Sequence, residues 1–345
     1  MEETDPIAPL IAKVRSAQIP EGLSQKTLER LNQLTALRQS PTFLPELDRI
    51  GRYVDWIVAL PWEKRTKDIL DIQKAKETMD KNHYGLLALK DRVIEYMSVM
   101  ILKSQSREIA RAPILCFVGL VGTGKTTIAA SIAEALGRKF ARIPFGGMGD
   151  PLDLRGQSKA HAEAEPGKVI KALRSAESKN PVILLDEIDR VTDEGRASIM
   201  GVLVELLDPR QNQAFVDHYI DYPFDLSEAI FIATANNTTG IATAVMDRLE
   251  PITMPSYTDQ EKIEIGRKYL LPRALLESGI PNGAIVFDDG VWPQIVRPLG
   301  FDAGIRTLER TIKGVVSKVA RMVVEGKTQT ITINGENVKE YMPQW

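Results

Sequence analysis

Apolar positions along the first stretch of the chain recur with a helical period. Leu28, Leu31, Leu34 and Leu37 follow Ser24, which can cap the helix they predict. After Ser40-Pro41, the residues Phe43, Leu47, Ile50, Val54 and Ile57 form a second stripe at spacings of three and four, and Pro61 closes it. Trp56 and Trp62 read as packing between helices. Residues 1–72 are therefore expected to form a small helical region.

From about residue 73 the pattern predicts alternating strands and helices, the mark of a parallel sheet with flanking helices. Ile114 to Val118, Pro181 to Leu185 and Ala229 to Ala233 are apolar runs too short for helices. Strands covered on both faces carry such continuous runs. Residues 73–255 are expected to form this α/β domain. Beyond about Ser256, helical signals resume in a segment spanning 256–345. Asp259 is the expected cap of a helix through Ile263, Ile265 and Tyr269 that ends before Pro272. A last helix is expected over about 304–324, and Gln329 to Ile333 reads as a short edge strand.

Charge and composition narrow the function. The 345 residues carry 44 Lys+Arg against 46 Asp+Glu, a balance that excludes a polycationic nucleic-acid arm. Cys116 is the single cysteine, so no internal disulfide can form and a reducing compartment is expected. No apolar run approaches the roughly 18 residues that span a bilayer, and the acidic start Met1-Glu2-Glu3-Thr4-Asp5 is unlike a secretory signal. A cytoplasmic protein without a membrane partner is expected.

The chemistry concentrates behind the first strand. Gly119-Leu120-Val121-Gly122-Thr123-Gly124-Lys125-Thr126 fits the phosphate-loop pattern in full, between a strand and a helix expected to run from Thr127 to Leu136. Its glycines let successive amides turn inward toward phosphates, and the helix N-terminus adds partial positive charge. Lys125 suits the β- and γ-phosphates of ATP, and the Thr126 hydroxyl suits Mg²⁺. The second strand ends in Asp186-Glu187, which places Asp186 for the metal and Glu187 as general base for an attacking water. The expectation here is that adjacent strands bring this pair to the edge of the sheet that holds the phosphate loop. Asn236 ends the third strand, where its amide can meet both the γ-phosphate and the water. A turn-forming role is the alternative for Asn236-Asn237.

In this order the motifs resemble the AAA+ ATPases, and more narrowly the ATPase portion of the Lon protease family. Further stretches carry the resemblance: Pro61-Trp62, Asn82-His83-Tyr84-Gly85-Leu86, Gly146-Gly147, Pro166-Gly167-Lys168, Leu184 to Asp189, Leu207-Asp208-Pro209, Asp217-His218-Tyr219 and Gly304 to Arg310. The resemblance implies an AAA+ P-loop α/β domain, preceded by a helical region and followed by a helical lid. It implies that Arg248 is the finger reaching a neighbouring subunit's site, and that Arg306 is the lid's sensor arginine. His83 and Tyr84 would sit on the adenine side, with Gly119, Gly122, Thr123, Gly124, Lys125, Thr126, Thr127 and Asp186 around the nucleotide. A homo-oligomeric ring, commonly a hexamer, and a polypeptide substrate are implied as well.

Two departures shape the expectation. The family's Ser–Lys peptidase domain has no counterpart in these residues, so no peptidase activity is expected of this chain. His161 and Ala162 stand where the family carries an aromatic–aliphatic pair that grips polypeptide. Burial of one bulky side chain contributes roughly 1.5–3 kcal/mol, most of which alanine forgoes. The leading expectation is a Lon-like ring ATPase that remodels or delivers protein substrates. The alternative is the motor module of a peptidase whose proteolytic part is truncated or separately encoded. A nucleotide-dependent scaffold and a nucleic-acid motor rank below both. Lys103, Arg107, Arg111, Arg138, Lys139 and Arg142 form no aromatic-interleaved basic patch and read as amphipathic helical faces.

Overall fold

Continuous burial along three central strands organises the middle of the molecule. The computed structural model describes residues 5–105, 114–161, 163–281, 283–297, 302–326 and 331–343. Ahead of residue 256 its strands are β1 (Ile114–Val118), β2 (Phe140–Pro144), β3 (Val182–Asp186), β4 (Phe215–Val216), β5 (Pro223–Phe224), β6 (Ile230–Ala235) and β7 (Leu249–Thr253). Five of them form a parallel sheet in the order β2-β3-β6-β1-β7, while β4 and β5 make a separate antiparallel pair. Leu115, Phe117, Leu184 and Ile232 face one core layer, and Cys116, Ile183, Leu185 and Phe231 face the other. Burial on both faces explains the unbroken apolar runs. Cys116 lies in that core, where burial pushes its thiol up to about 12.

The outer strands β2 and β7 are absent from the sequence reading. They spell Phe-Ala-Arg-Ile-Pro and Leu-Glu-Pro-Ile-Thr, apolar runs broken by Arg142, Glu250 and proline, and both strands leave residues exposed where the central strands are buried. The order also corrects the expectation that the strands of Asp186 and the phosphate loop are adjacent: β6 lies between them. Register repairs the geometry. Leu185, Ala233 and Cys116 stand abreast, so Asp186, Asn236 and the phosphate loop leave the sheet at one end.

Helices α1 (Ala8–Ser16), α2 (Glu21–Thr35) and α3 (Phe43–Ala59) share their own core around Val14, Leu31, Leu34 and Val54. Ser24 is not the cap of α2, which starts behind Pro20 in an extended conformation. Leu37 lies past its end and is exposed. The stripe of α3 is buried as its spacing predicts, with Leu47 partly so. Trp62 does not pack between these helices. Its ring lies 4.9 Å from Phe224 and 5.9 Å from Tyr222, and Nε1 donates to the Ile57 carbonyl at 2.8 Å. It joins the helical region to the sheet's core layer. Trp56 instead carries the Arg174 guanidinium over its ring at 4.1 Å.

Two helices, α4 (Ile72–Asn82) and α5 (Leu87–Gln105), precede β1, so strand–helix alternation starts later than expected. Then come α6 (Lys125–Leu136), α7 (Leu152–Arg155), α8 (Lys168–Ala176), α9 (Arg196–Leu207) and α10 (Thr243–Met246). The C-terminal segment opens with α11 (Asp259–Ile265), whose cap is Thr258 rather than Asp259. Thr258 and Glu261 form a capping box. Pro272 does not end this helix. A widened turn over Gly266–Leu270 leads directly into α12 (Leu271–Glu277), and that extra residue per turn accommodates the ring and its missing N–H. After β8 (Ile285–Phe287) and α13 (Trp292–Val296), α14 (Arg306–Val324) runs back across the segment, followed by β9 (Ile331–Ile333) and α15 (Val338–Tyr341). The expected strand near 331 pairs in parallel with β8, which the sequence reading missed. No helix among the described residues is long and apolar enough to cross a membrane.

Candidate active site

The loop from Gly119 to Gly124 joins β1 to α6, and its backbone explains its glycines. Gly122 and Gly124 have φ of +83° and +96°, a region costly for other residues. A Cβ on Gly119 would stand 2.8 Å from Met254. Lys125, the first residue of α6, is buried. Its Nζ donates to the carbonyls of Gly119 at 2.5 Å and Leu120 at 3.0 Å, and to Asn236 Oδ1 at 3.1 Å. Burial holds its pKa below the ordinary lysine range, against the raising influence of Asp189, Glu187 and Asp186. Thr123 is fully buried within the loop, and Thr126 and Thr127 fill the first turn of α6.

Asp186 ends β3 with its carboxylate nearly closed from solvent. Oδ1 accepts the Thr234 hydroxyl at 2.5 Å and the Thr126 hydroxyl at 3.4 Å. Oδ2 accepts Arg142 Nε at 2.7 Å. The next residue, Glu187, is left-handed at φ +58°. Its N–H donates to Thr234 Oγ1 at 2.9 Å, and its Oε2 lies 3.2 Å from where a Gly146 Cβ would be. Such strain in a non-glycine residue persists only where neighbours enforce it. Here Thr234 bridges the two acids. Asn236 donates its N–H to Asp189 Oδ2 at 3.1 Å, while its buried Nδ2 has no partner. A buried amide donor left without an acceptor is costly, and it fits a phosphate oxygen. Among the described residues no three His, Cys, Asp or Glu side chains gather as a metal cage. A divalent ion at Thr126 and Asp186 would therefore draw ligands from phosphates, as Mg²⁺ commonly does.

Beside the phosphate loop lies a cleft of about 490 Å³ whose lining includes His83, Tyr84, Thr127, Ser131, Tyr257 and Ile305. His83 Nε2 is 2.8 Å from Ser131 Oγ, and burial, with Lys90 nearby, lowers its pKa to about 4. Tyr84 has Lys268 over its ring at 5.5 Å. The C-terminal segment closes on the loop. Tyr257 donates its hydroxyl to the Thr123 carbonyl at 3.2 Å, and the Ile305 N–H donates to the Gly122 carbonyl at 3.0 Å. Arg306 starts α14 with its Cγ 3.3 Å from where a Cβ on Gly122 would be.

Two expected residues stand apart. Arg248 is turned to Asp208 Oδ2 at 3.2 Å and to the Ala244 carbonyl at 2.6 Å, away from the Lys125 cluster. His161 is exposed on the loop between α7 and α8, whose base Asp217 clasps by accepting the Gly167 N–H at 2.7 Å. Ala162 lies outside the described residues, as do Arg107 and Arg111. The reading of Arg138 and Arg142 as helical faces is overturned. Arg138 pairs with Asp68 at 2.7 Å, and Arg142 lies on β2 against Asp186. Sequence reasoning missed Arg142, Thr234 and Asp189 as partners of the cluster. The available signal for the first was a single basic residue inside the short apolar run Phe140-Ala141-Arg142-Ile143.

Residues 115–257 match the family model described as ATPase family associated with various cellular activities (AAA). Residues 276–331 match the Lon protease AAA+ ATPase lid domain. The chain is 41% identical over 342 residues to a Lon protease of Lawsonia intracellularis, covering 99% of this chain and 40% of that protein. It is 41% identical over 338 residues to Lon protease 2 of Thermus thermophilus, covering 96% and 42%. Identity to a Lon protease of Dictyoglomus thermophilum is 41% over 345 residues, covering 99% and 43%. The chain thus spans about two fifths of the length of these relatives.

Proposed function

We propose, from the premise that this chain belongs to the AAA+ ATPases as the ATPase portion of the Lon family, that it hydrolyses ATP as a ring to move or remodel polypeptide. One observation carries the nucleotide reading. Lys125 Nζ and Asn236 Oδ1 meet at 3.1 Å at the N-terminus of α6, and the unpartnered Asn236 Nδ2 lies in the same place. In this reading the amides of Gly122 to Thr127 and the Lys125 ammonium bind the phosphates, while the Gly119 N–H is held by the Ala235 carbonyl at 3.1 Å. Thr126 and Asp186 would hold Mg²⁺, which would supply positive charge against the phosphates.

Glu187 takes the proton of the attacking water, and its enforced left-handed backbone fixes the direction of its carboxylate. Asn236 orients that water and donates to the γ-phosphate. Arg306, carried on the lid, adds positive charge from the other side. His83 and Tyr84 line the adenine side of the cleft. Residues 1–72, 73–255 and 256–345 act as helical region, nucleotide domain and lid. Arg248 faces away from its own site, which supports service to a neighbouring subunit in a hexameric ring. Its guanidinium would offset developing phosphoryl charge there. A reducing, cytoplasmic setting fits the buried lone Cys116.

No residue of this chain is assigned to peptide-bond hydrolysis. The similarity to Lon proteases favours a second reading of the same site, as the motor of an ATP-dependent peptidase. Either way Glu187→Gln is the test. It should keep ATP affinity within about twofold and lose turnover by a factor on the order of 10²–10⁴, while Lys125→Ala loses binding itself. Full turnover in Glu187→Gln would refute the assignment.

A further inference from the structure

The cation on Asp186 is not Lys125. All three bonds of the Lys125 ammonium go to Gly119, Leu120 and Asn236. Arg142 fills that place, reaching from the edge strand β2 with Nε at 2.7 Å and Nη2 at 2.5 Å, both on Oδ2. Oδ1 is taken by Thr234 at 2.5 Å and faces Thr126. The carboxylate side chain is 5% exposed, the guanidinium 53%. A nearly closed acid is thus satisfied at both oxygens by the protein itself. A carboxylate so paired attracts a free divalent ion weakly, because the ion must share it with a resident positive charge. A nucleotide changes the balance by bringing phosphate oxygens as further ligands.

We propose that Arg142 is a counter-cation that keeps Asp186 from taking up a divalent ion until nucleotide phosphates arrive, so that metal binding follows nucleotide binding. The inference rests on the nucleotide reading above. The Mn²⁺ affinity of the nucleotide-free chain reads that role directly, because it follows the charge beside Asp186 rather than the stability of the fold.

The test is Mn²⁺ binding to the nucleotide-free full chain, read from the electron paramagnetic resonance of free Mn²⁺. Arg142→Gln and Arg142→Met should bind Mn²⁺ about tenfold or more tightly than the parent chain, since a unit charge beside the ligand is gone. Arg142→Lys, which keeps the charge, should match the parent. Adding Asp186→Asn to Arg142→Gln should abolish the gain. ADP binding in EDTA, measured on the same proteins, reports the phosphate site alone and verifies folding. Equal Mn²⁺ affinity in parent and Arg142→Gln, with ADP bound by both, overturns the proposal and leaves the nucleotide site standing. A gain in Arg142→Lys equal to that in Arg142→Gln also overturns it. Failure of the parent to bind ADP refutes the nucleotide reading, and this proposal falls with it.

Discussion

Lys125 Nζ donates to Asn236 Oδ1 at 3.1 Å across the ends of the neighbouring strands β1 and β6. The bond fixes the amide's sense: with oxygen on the lysine, Nδ2 is left buried and without a partner. Asn236→Asp keeps an acceptor for Lys125 and removes the donor. We expect ADP affinity within about twofold of the parent and turnover lower by on the order of 10²-fold. Isothermal titration paired with a phosphate-release assay checks it, and undiminished turnover would exclude Asn236 from the chemistry.

Gly304 sets how closely the lid approaches the phosphate loop. A Cβ there would stand 2.5 Å from the Gly122 carbonyl carbon and 2.6 Å from the Val121 oxygen. Both are backbone atoms that cannot rotate away. Gly304→Ala should therefore hold α14 and Arg306 off the loop. The expected signature is a rate loss exceeding the loss of nucleotide affinity, with the melting temperature shifted by only a few degrees, as a change of about 1 kcal/mol would produce. A wild-type rate would mean that the lid contact is dispensable.

His83 makes stability depend on acid. Its folded pKa is about 4, lowered first by burial and then by Lys90, against about 6.5 in an unfolded chain. Between these values the unfolded state binds more protons, so stability is intact above about pH 6.5 and falls as pH drops toward 4. The slope from this residue reaches about 1.4 kcal/mol per pH unit. His83→Gln should flatten that part of the curve in urea unfolding between pH 4 and 7. An unchanged acid slope would contradict the assignment.

Arg248 is held by Asp208 at 3.2 Å within its own chain, and the proposal that it serves a neighbouring subunit's site is tested by mixing variants. Arg248→Ala and Glu187→Gln should each be inactive alone. Mixed, they should regain part of the activity, because some interfaces then pair an intact finger with an intact base. Mixtures as inactive as their parts would argue for a finger acting in its own subunit.

The phosphate loop was legible because its glycines answer a backbone demand that few sequences meet by chance: Gly122 and Gly124 both adopt positive φ. The three central strands were legible for a related reason, since burial on both faces leaves no polar position. Edge strands β2 and β7 lack that constraint, and with them Arg142 went unrecognised. Pro272 misled because a proline ends most helices, while here a widened turn over Gly266–Leu270 carries the helix past it. Partnerships such as Thr234 with Asp186, or Asp208 with Arg248, join residues 48 and 40 positions apart. Local pattern holds no information about them.

Phosphate release per subunit, followed across protein concentration with saturating Mg²⁺ and ATP, tests the central claim most directly. The account predicts a specific rate that rises with concentration to a plateau as subunits assemble, and that disappears in Lys125→Ala. A rate per subunit independent of concentration would contradict a ring with a shared arginine, and turnover surviving in Lys125→Ala would contradict the site itself.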